Sequence, residues 1–133
     1  MVPPTPRAQP VRQVLIVEDD HKLAAVLARS LQRAGYACTI AESGDQALWT
    51  VDARPPDALV VDVMIPHPSG VEVCRHLRRR GFDGPIVVIS ARSNVDDRAA
   101  AQRAGADRFL AKPFALAELV STLGSLFGPP ATS

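Results

Sequence analysis

The stretch LIVEDD, residues 15–20, places three acids directly after an apolar run. Such a run reads as a buried strand, and ending it on Glu18, Asp19 and Asp20 is costly unless something offsets the clustered charge. Three further positions have the same character. Asp62 ends DALVVD, Ser90 ends IVVIS and Lys112 follows RFLA, each at the close of a short apolar segment. Carboxylate oxygens are hard ligands suited to Mg²⁺, with Mn²⁺ as an alternative ion, and Mg²⁺ normally keeps several waters and is completed by a phosphate oxygen. Glu18 and Asp19 are therefore expected to form a metal platform. Asp20 is expected to start or cap the following helix.

These residues need a frame that brings them together. Strand-like segments at 14–17, 37–40, 58–61, 86–89 and 108–111 alternate with helix-like segments at 21–34, 43–53, 69–80, 95–104 and 116–127. That alternation predicts an α/β domain with a parallel sheet. Continuous apolarity in the first, third and fourth strands marks them as central, covered on both faces. Gly35, Gly81 and Gly105 stand where helices need left-handed caps, and Ser43 and Ser69 stand at N-cap positions. In the last helix Leu116, Leu119, Val120, Leu123 and Phe127 recur on one apolar face. Parallel strands joined by right-handed crossovers all point one way, so Glu18, Asp19, Asp62, Ser90 and Lys112 should meet along the edge formed by the strand C-termini.

Composition narrows the function further. A chain of 133 residues with 47% hydrophobic residues can bury the core of one domain. The expected division is a flexible proline-rich arm at 1–11, a folded domain at 12–127 and a tail at 128–133. A net charge of +1, with acids and bases interspersed, gives no basis for direct nucleic-acid binding. No apolar run reaches membrane-spanning length and the first residues lack a signal-peptide pattern, so a cytoplasmic location without membrane insertion is expected. Cys38 and Cys74 read as reduced, mostly buried thiols, and His21, His67 and His76 have no zinc-site spacing with them.

The ordered set VLIVEDD, DALVVDVMIP, GVEVCRHLRR, PIVVISA and AGADRFLAKPF resembles the receiver domain of two-component response regulators from Val11 to about Phe127. The resemblance implies a (βα)5 doubly wound, flavodoxin-like or CheY-like fold, a five-stranded parallel sheet in order 2-1-3-4-5 with helices on both faces. It implies that Asp62 accepts a phosphoryl group from a sensor histidine kinase or phosphotransfer protein. Glu18 and Asp19 would take the acidic-pair positions, and the backbone carbonyl of Met64 would complete the protein's share of the Mg²⁺ shell. Lys112 and Mg²⁺ would neutralise charge, since a carboxylate attacks an anionic phosphoryl group poorly unless charge and alignment are supplied. Ser90 would donate a hydrogen bond to the phosphoryl group while Phe109 turns inward as a switch. The Lys112–Pro113 bond would be cis.

On this reading the chain catalyses only its own phosphorylation and dephosphorylation and is not a turnover enzyme. Output would pass through the surface of the fourth helix, fifth strand and fifth helix to an unknown downstream protein. Receivers that dimerise through that surface usually carry an acid after GAD and an arginine late in the last helix. Arg108 and Thr122 stand there instead, although Arg98, Asp107 and Glu118 are present, so a stand-alone monomer or weak homodimer is expected. Alternatives are a non-phosphorylated interaction module and the N-terminal receiver of a longer DNA-binding regulator. An aspartyl phosphatase would want an acid two residues after Asp62, where Met64 has no proton to transfer. A flavodoxin-like carrier would want hydroxyls and glycines in place of the acids of EDDHK. Arg78–Arg80 read as cations complementing a helix dipole, Trp49 as a half-covered surface residue, and His67 as loop polarity.

Overall fold

The computed structural model describes residues 10–128, so the arm expected at 1–11 lies largely outside the described residues, as does the tail beyond 128. The elements run β1 (Gln13–Val17), α1 (His21–Arg33), β2 (Ala37–Ala41), α2 (Gly44–Ala53), β3 (Ala58–Asp62), α3 (Gly70–Arg79), β4 (Ile86–Ser90), α4 (Val95–Arg103), β5 (Arg108–Ala111) and α5 (Leu116–Phe127). All strand pairs are parallel and the sheet order is β2-β1-β3-β4-β5. This is the doubly wound CheY-like architecture that the sequence resemblance implies.

The apolar runs are long because each central strand feeds two cores. Successive side chains of a strand point to opposite faces. Leu15, Val17, Leu59, Val61, Ile86 and Val88 face a core completed by α2, α3 and α4. Val14, Ile16, Val60, Val87 and Ile89 face a second core completed by α1 and α5. The edge strands β2 and β5 are only partly covered, which accounts for their weaker apolar signal. Cys38 on β2 is correspondingly half-buried, whereas Cys74 is fully buried. Burial pushes the Cys38 thiol up to about 11 and the Cys74 thiol up to about 12, which keeps both protonated and unreactive.

Helix ends follow the sequence signals. Asp20, Ser43, Ser69 and Asn94 cap α1, α2, α3 and α4 through their side chains. Gly35, Gly81 and Gly105 have φ of 102°, 92° and 106°, the left-handed region expected of them. The face of α5 departs from expectation at Leu116, which is 37% exposed while Leu119 and Leu123 are buried. Helical side chains tilt toward the N-terminus, so the first residue of α5 reaches back past the helix start and away from the core.

The Arg78–Arg80 run does more than complement a dipole. Arg78 Nη1 donates to the carbonyls of Phe82 (2.9 Å) and Gly84 (2.8 Å), and its Nε donates to Gly105 (3.0 Å). Its Nη2 meets Asp107 Oδ2 at 3.0 Å, and that oxygen also accepts from Ile86 N at 2.8 Å. One guanidinium thereby joins the end of α3, the start of β4 and the α4–β5 turn. Arg80 pairs with Asp52 at 2.9 Å, and only Arg79 remains a simple exposed cation. Arg78→Ala leaves several carbonyls and a carboxylate short of a donor, and should cost about 2 kcal/mol in urea unfolding. Arg78→Lys should recover less than half, because a single ammonium lacks the planar fork.

Candidate functional site

Backbone pairing carries the functional residues into place. Glu18 N donates to Ala41 O (3.0 Å), Val63 N to Ile89 O (3.1 Å) and Lys112 N to Ser90 O (2.8 Å). The ladder thus continues one residue past three strand ends, and the residues at those ends inherit strand geometry. Within the ladder Asp62 is paired with Ile89 and Ser90 with Ala111. Glu18, Asp62, Ser90 and Lys112 therefore converge at one edge because their strands stop in register.

The three charged groups meet directly. Glu18 is 1% exposed and Asp62 3% exposed. Lys112 Nζ donates to Glu18 Oε1 at 2.8 Å and to Asp62 Oδ2. The other Asp62 oxygen, Oδ1, accepts from Met64 N at 2.8 Å, and Glu18 Oε2 accepts from Asp20 N at 3.2 Å. Asp19 is exposed at the rim, and carboxylate oxygens of Glu18, Asp19 and Asp62 lie within 4.8 Å of one another. Asp20 turns away as expected, its Oδ1 accepting from Lys22 N (3.0 Å) and Leu23 N (3.1 Å).

The loop between β3 and α3 is held closely against the site. Gly70 N donates to Val63 O at 3.1 Å, and a Cβ at Gly70 would collide with the Asp62 carbonyl. A glycine here lets α3 begin directly beside Asp62. Gly44 plays the same part from α2, where a Cβ would meet Pro68. Gly70 lies eight residues after Asp62, and that spacing is the signal the sequence offers for it. The Met64 side chain is 53% exposed, so what this residue offers the site is backbone. His67 is exposed in this loop and makes no side-chain hydrogen bond or ion pair among the described residues. Both His67–Pro68 and Lys112–Pro113 are cis, the second as the resemblance implied.

Ser90 is fully buried, and its Oγ accepts from Arg92 N at 3.0 Å, tying the hydroxyl to the loop before α4. Phe109 packs partly buried against the α2–α3–α4 core. The Arg98 guanidinium lies over its ring, 4.8 Å from the centroid, a contact the sequence did not indicate. The Trp49 side chain is 71% exposed, further out than half-covered.

Electrostatics favour a bound cation. Burial raises the Glu18 carboxyl to about 7, with the neighbouring Asp62 adding to the rise against the opposing hydrogen bond from Lys112. Burial also works against the Lys112 ammonium, but hydrogen bonds to Asp62 and Glu18 outweigh it and hold its pKa above the usual lysine value. Lys112 thus stays charged, yet one ammonium does not balance three acids. The donors are all hard oxygens, and the cluster can hold a divalent cation. In the metal-free protein the Glu18 carboxyl binds a proton more tightly folded than unfolded. Its contribution to stability is therefore present below the ordinary value of 4.5 and is lost as pH rises toward about 7. Glu18→Gln should gain stability relative to the wild type across that window in metal-free urea titrations, and a flat difference would contradict the assignment.

Comparison with known proteins agrees with this geometry. The model of the response regulator receiver domain matches residues 14–124. Response regulator MprA of Mycolicibacterium vanbaalenii is 47% identical over 117 residues, which are 88% of this chain and 50% of that protein. The chain thus spans about half the length of the curated relatives it matches. Among solved structures, the receiver domain of Francisella response regulator 1452 superposes with a TM-score of 0.83 at 28% identity, covering 87% of this chain and 96% of that one. The BeF3-activated N-terminal receiver domain of Klebsiella pneumoniae RstA gives a TM-score of 0.82 at 25% identity, covering 88% and 99%. With the sheet order, the strand-end acids and the family match in agreement, this chain belongs to the response regulator receiver domain family.

Proposed function

We propose that the chain is a Mg²⁺-dependent phosphorylation switch in which Asp62 accepts a phosphoryl group from a histidine kinase or phosphotransfer protein. The carrying observation is the state of Asp62, buried, with one oxygen taken by Lys112 and the other by Met64 N, beside Glu18 and Asp19. Both hydrogen bonds fix the carboxylate's orientation before reaction, which is the alignment an in-line transfer needs. An Asp62 oxygen forms the new bond to phosphorus as the phosphorus–nitrogen bond of the phosphohistidine breaks, and the displaced imidazole keeps the bonding pair. Glu18, Asp19, Asp62 and the Met64 carbonyl would hold Mg²⁺, which supplies positive charge to the transferring oxygens. Lys112 supplies the second positive charge and is already in place.

The switch reading rests on Ser90 and Phe109. A Ser90 side chain that rotates toward a phosphoryl oxygen carries its Oγ away from Arg92 N, which loosens the loop leading into α4. Phe109, half-buried on the next strand, is the side chain that moves into the space released. Changed contacts on α4, β5 and α5 then reach a downstream protein. The reading holds for a receiver acting alone and for one joined to an output segment, and the incomplete charge network of Arg98, Asp107 and Glu118 favours a monomer or weak homodimer. No described helix is long and apolar enough to cross a membrane, in keeping with a proposed cytoplasmic location. Apart from its own acyl phosphate the site has no turnover chemistry: the position two residues after Asp62, Met64, offers no acid.

Incubation with a small phosphodonor and Mg²⁺ should add one phosphoryl mass to the wild type, read by intact mass spectrometry. Chelation or Asp62→Ala should abolish the gain, and Lys112→Ala should slow it by about tenfold or more. No adduct under any donor, with no uptake of a beryllofluoride mimic, would favour the interaction-module alternative. A separate expectation concerns acidity. A proton on Glu18 competes with the cation, so Mg²⁺ affinity should fall as pH drops below about 7, approaching tenfold per pH unit. Calorimetry at several pH values checks this, and Glu18→Gln should flatten the dependence.

A further inference from the structure

The two edges of the sheet are guarded differently. Strand β5 begins on exposed Arg108 and is followed by Lys112 and Pro113, and charge or proline at an edge discourages pairing with another chain. Strand β2 reads Ala-Cys-Thr-Ile-Ala, with neither charge nor proline. Its outer side is open at particular atoms. Ala37 N donates to Arg12 O and Ala41 O accepts from Glu18 N, both at 3.0 Å, so Ala37, Thr39 and Ala41 turn their backbone groups toward β1. The residues between them, Cys38 and Ile40, turn theirs outward. The flanking amides are already answered, because Tyr36 N donates to Leu31 O at 3.1 Å and Glu42 N to Gln46 Oε1 at 2.6 Å. No bond among the described residues reaches the outward amides and carbonyls of Cys38 and Ile40. Thr39 is exposed and Ile40 is 38% exposed, so solvent reaches the strand.

We infer that β2 pairs antiparallel with β2 of a second copy of this chain, about a two-fold axis through Thr39, joining two five-stranded sheets. A two-fold axis sets one patch against itself, and a strand edge carrying donors and acceptors in equal number is self-complementary. Antiparallel neighbours exchange both amide and carbonyl at alternate positions, so Cys38 of one copy bonds to Ile40 of the other and every free group is used. Thr39 then faces its own counterpart at a position without backbone bonds, where side chains come closest and a pair of threonines is favourable. Centring the pair on Cys38 would instead set Ile40 against Tyr36, whose amide is already spent.

Charge does not oppose this register. Glu42, the first charge beyond β2, meets the Tyr36 end of the other strand rather than a second Glu42. Arg54, which lines a small cavity with Gln13 and Thr39, stands toward that same end. A strand of five residues supplies far less contact than a standard interface, so the dimer is weak. None of these groups belongs to the acidic site, and the pairing stands or falls apart from the phosphorylation reading.

Cross-linking and hydrogen exchange test it on the full chain. Thr39→Cys in a Cys38→Ser background should form an interchain disulfide with a mild oxidant several times faster than Asp96→Cys in the same background. Facing residues at that position have a Cα separation of about 4.5 Å, within disulfide range. Across a concentration series read by NMR, exchange of the Cys38 and Ile40 amides should slow as the wild-type chain is concentrated, while Ala37, Thr39 and Ala41, bonded to β1 throughout, should not change. Thr39→Lys sets like charges face to face and should weaken association in sedimentation equilibrium about tenfold or more, with an unaltered circular dichroism spectrum. Protection of Cys38 and Ile40 that is independent of concentration would show the edge covered within one chain and would overturn the pairing. A monomer at every concentration would do the same, as would a dimer that ignores Thr39→Lys and dissolves with Arg98→Glu. If Thr39→Lys does not fold, the wild-type exchange series decides by itself.

Discussion

The Lys112 ammonium shared between Glu18 and Asp62 is the contact on which the rest of the site depends. It joins the ends of β5, β1 and β3 through residues 94 and 50 positions apart in sequence. Two buried carboxylates beside each other are unfavourable, and an ammonium between them recovers part of that cost only while all three groups keep their places. The raised Glu18 pKa records what remains uncompensated. A site left short of positive charge is one prepared for a cation, and the strand register that aligns these residues is therefore as much a functional feature as a structural one.

The opposite edge of the sheet handles charge differently. There Arg78 meets three carbonyls and Asp107, and Asp107 meets Ile86 N as well. The Arg78 guanidinium and the Asp107 Oδ2 oxygen are thus answered by protein groups. The contrast fits a division of labour within one sheet: the ends that start β4 and β5 are tied together by Arg78, and the ends that finish β1, β3 and β5 gather the charges of Glu18, Asp62 and Lys112. The exposed Arg98 guanidinium lies over the Phe109 ring, joining α4 to β5.

Much of this was legible in the chain. Period-two burial on two faces makes long apolar strands, so β1, β3 and β4 stood out together with the polar residues Glu18, Asp62 and Ser90 at their ends. Caps at Asp20, Ser43 and Ser69, and left-handed glycines at 35, 81 and 105, are local signals that need no tertiary knowledge. Arg78, Arg98 and Gly70 were not legible in the same way. An arginine in a helix's last turn looks alike whether it faces water or three carbonyls, and a glycine after an N-cap does not reveal what backbone lies against it.

The sequence by itself determined the order of elements, the two-sided core and the identities of the residues that could meet, because these follow from side-chain periodicity and local backbone preference. Only the tertiary structure decided that Lys112 reaches both acids, that Asp107 Oδ2 pairs with Arg78, and that Arg98 lies over Phe109. Partner choice among charged side chains is set by distances between segments far apart in the chain, and no local pattern encodes those distances.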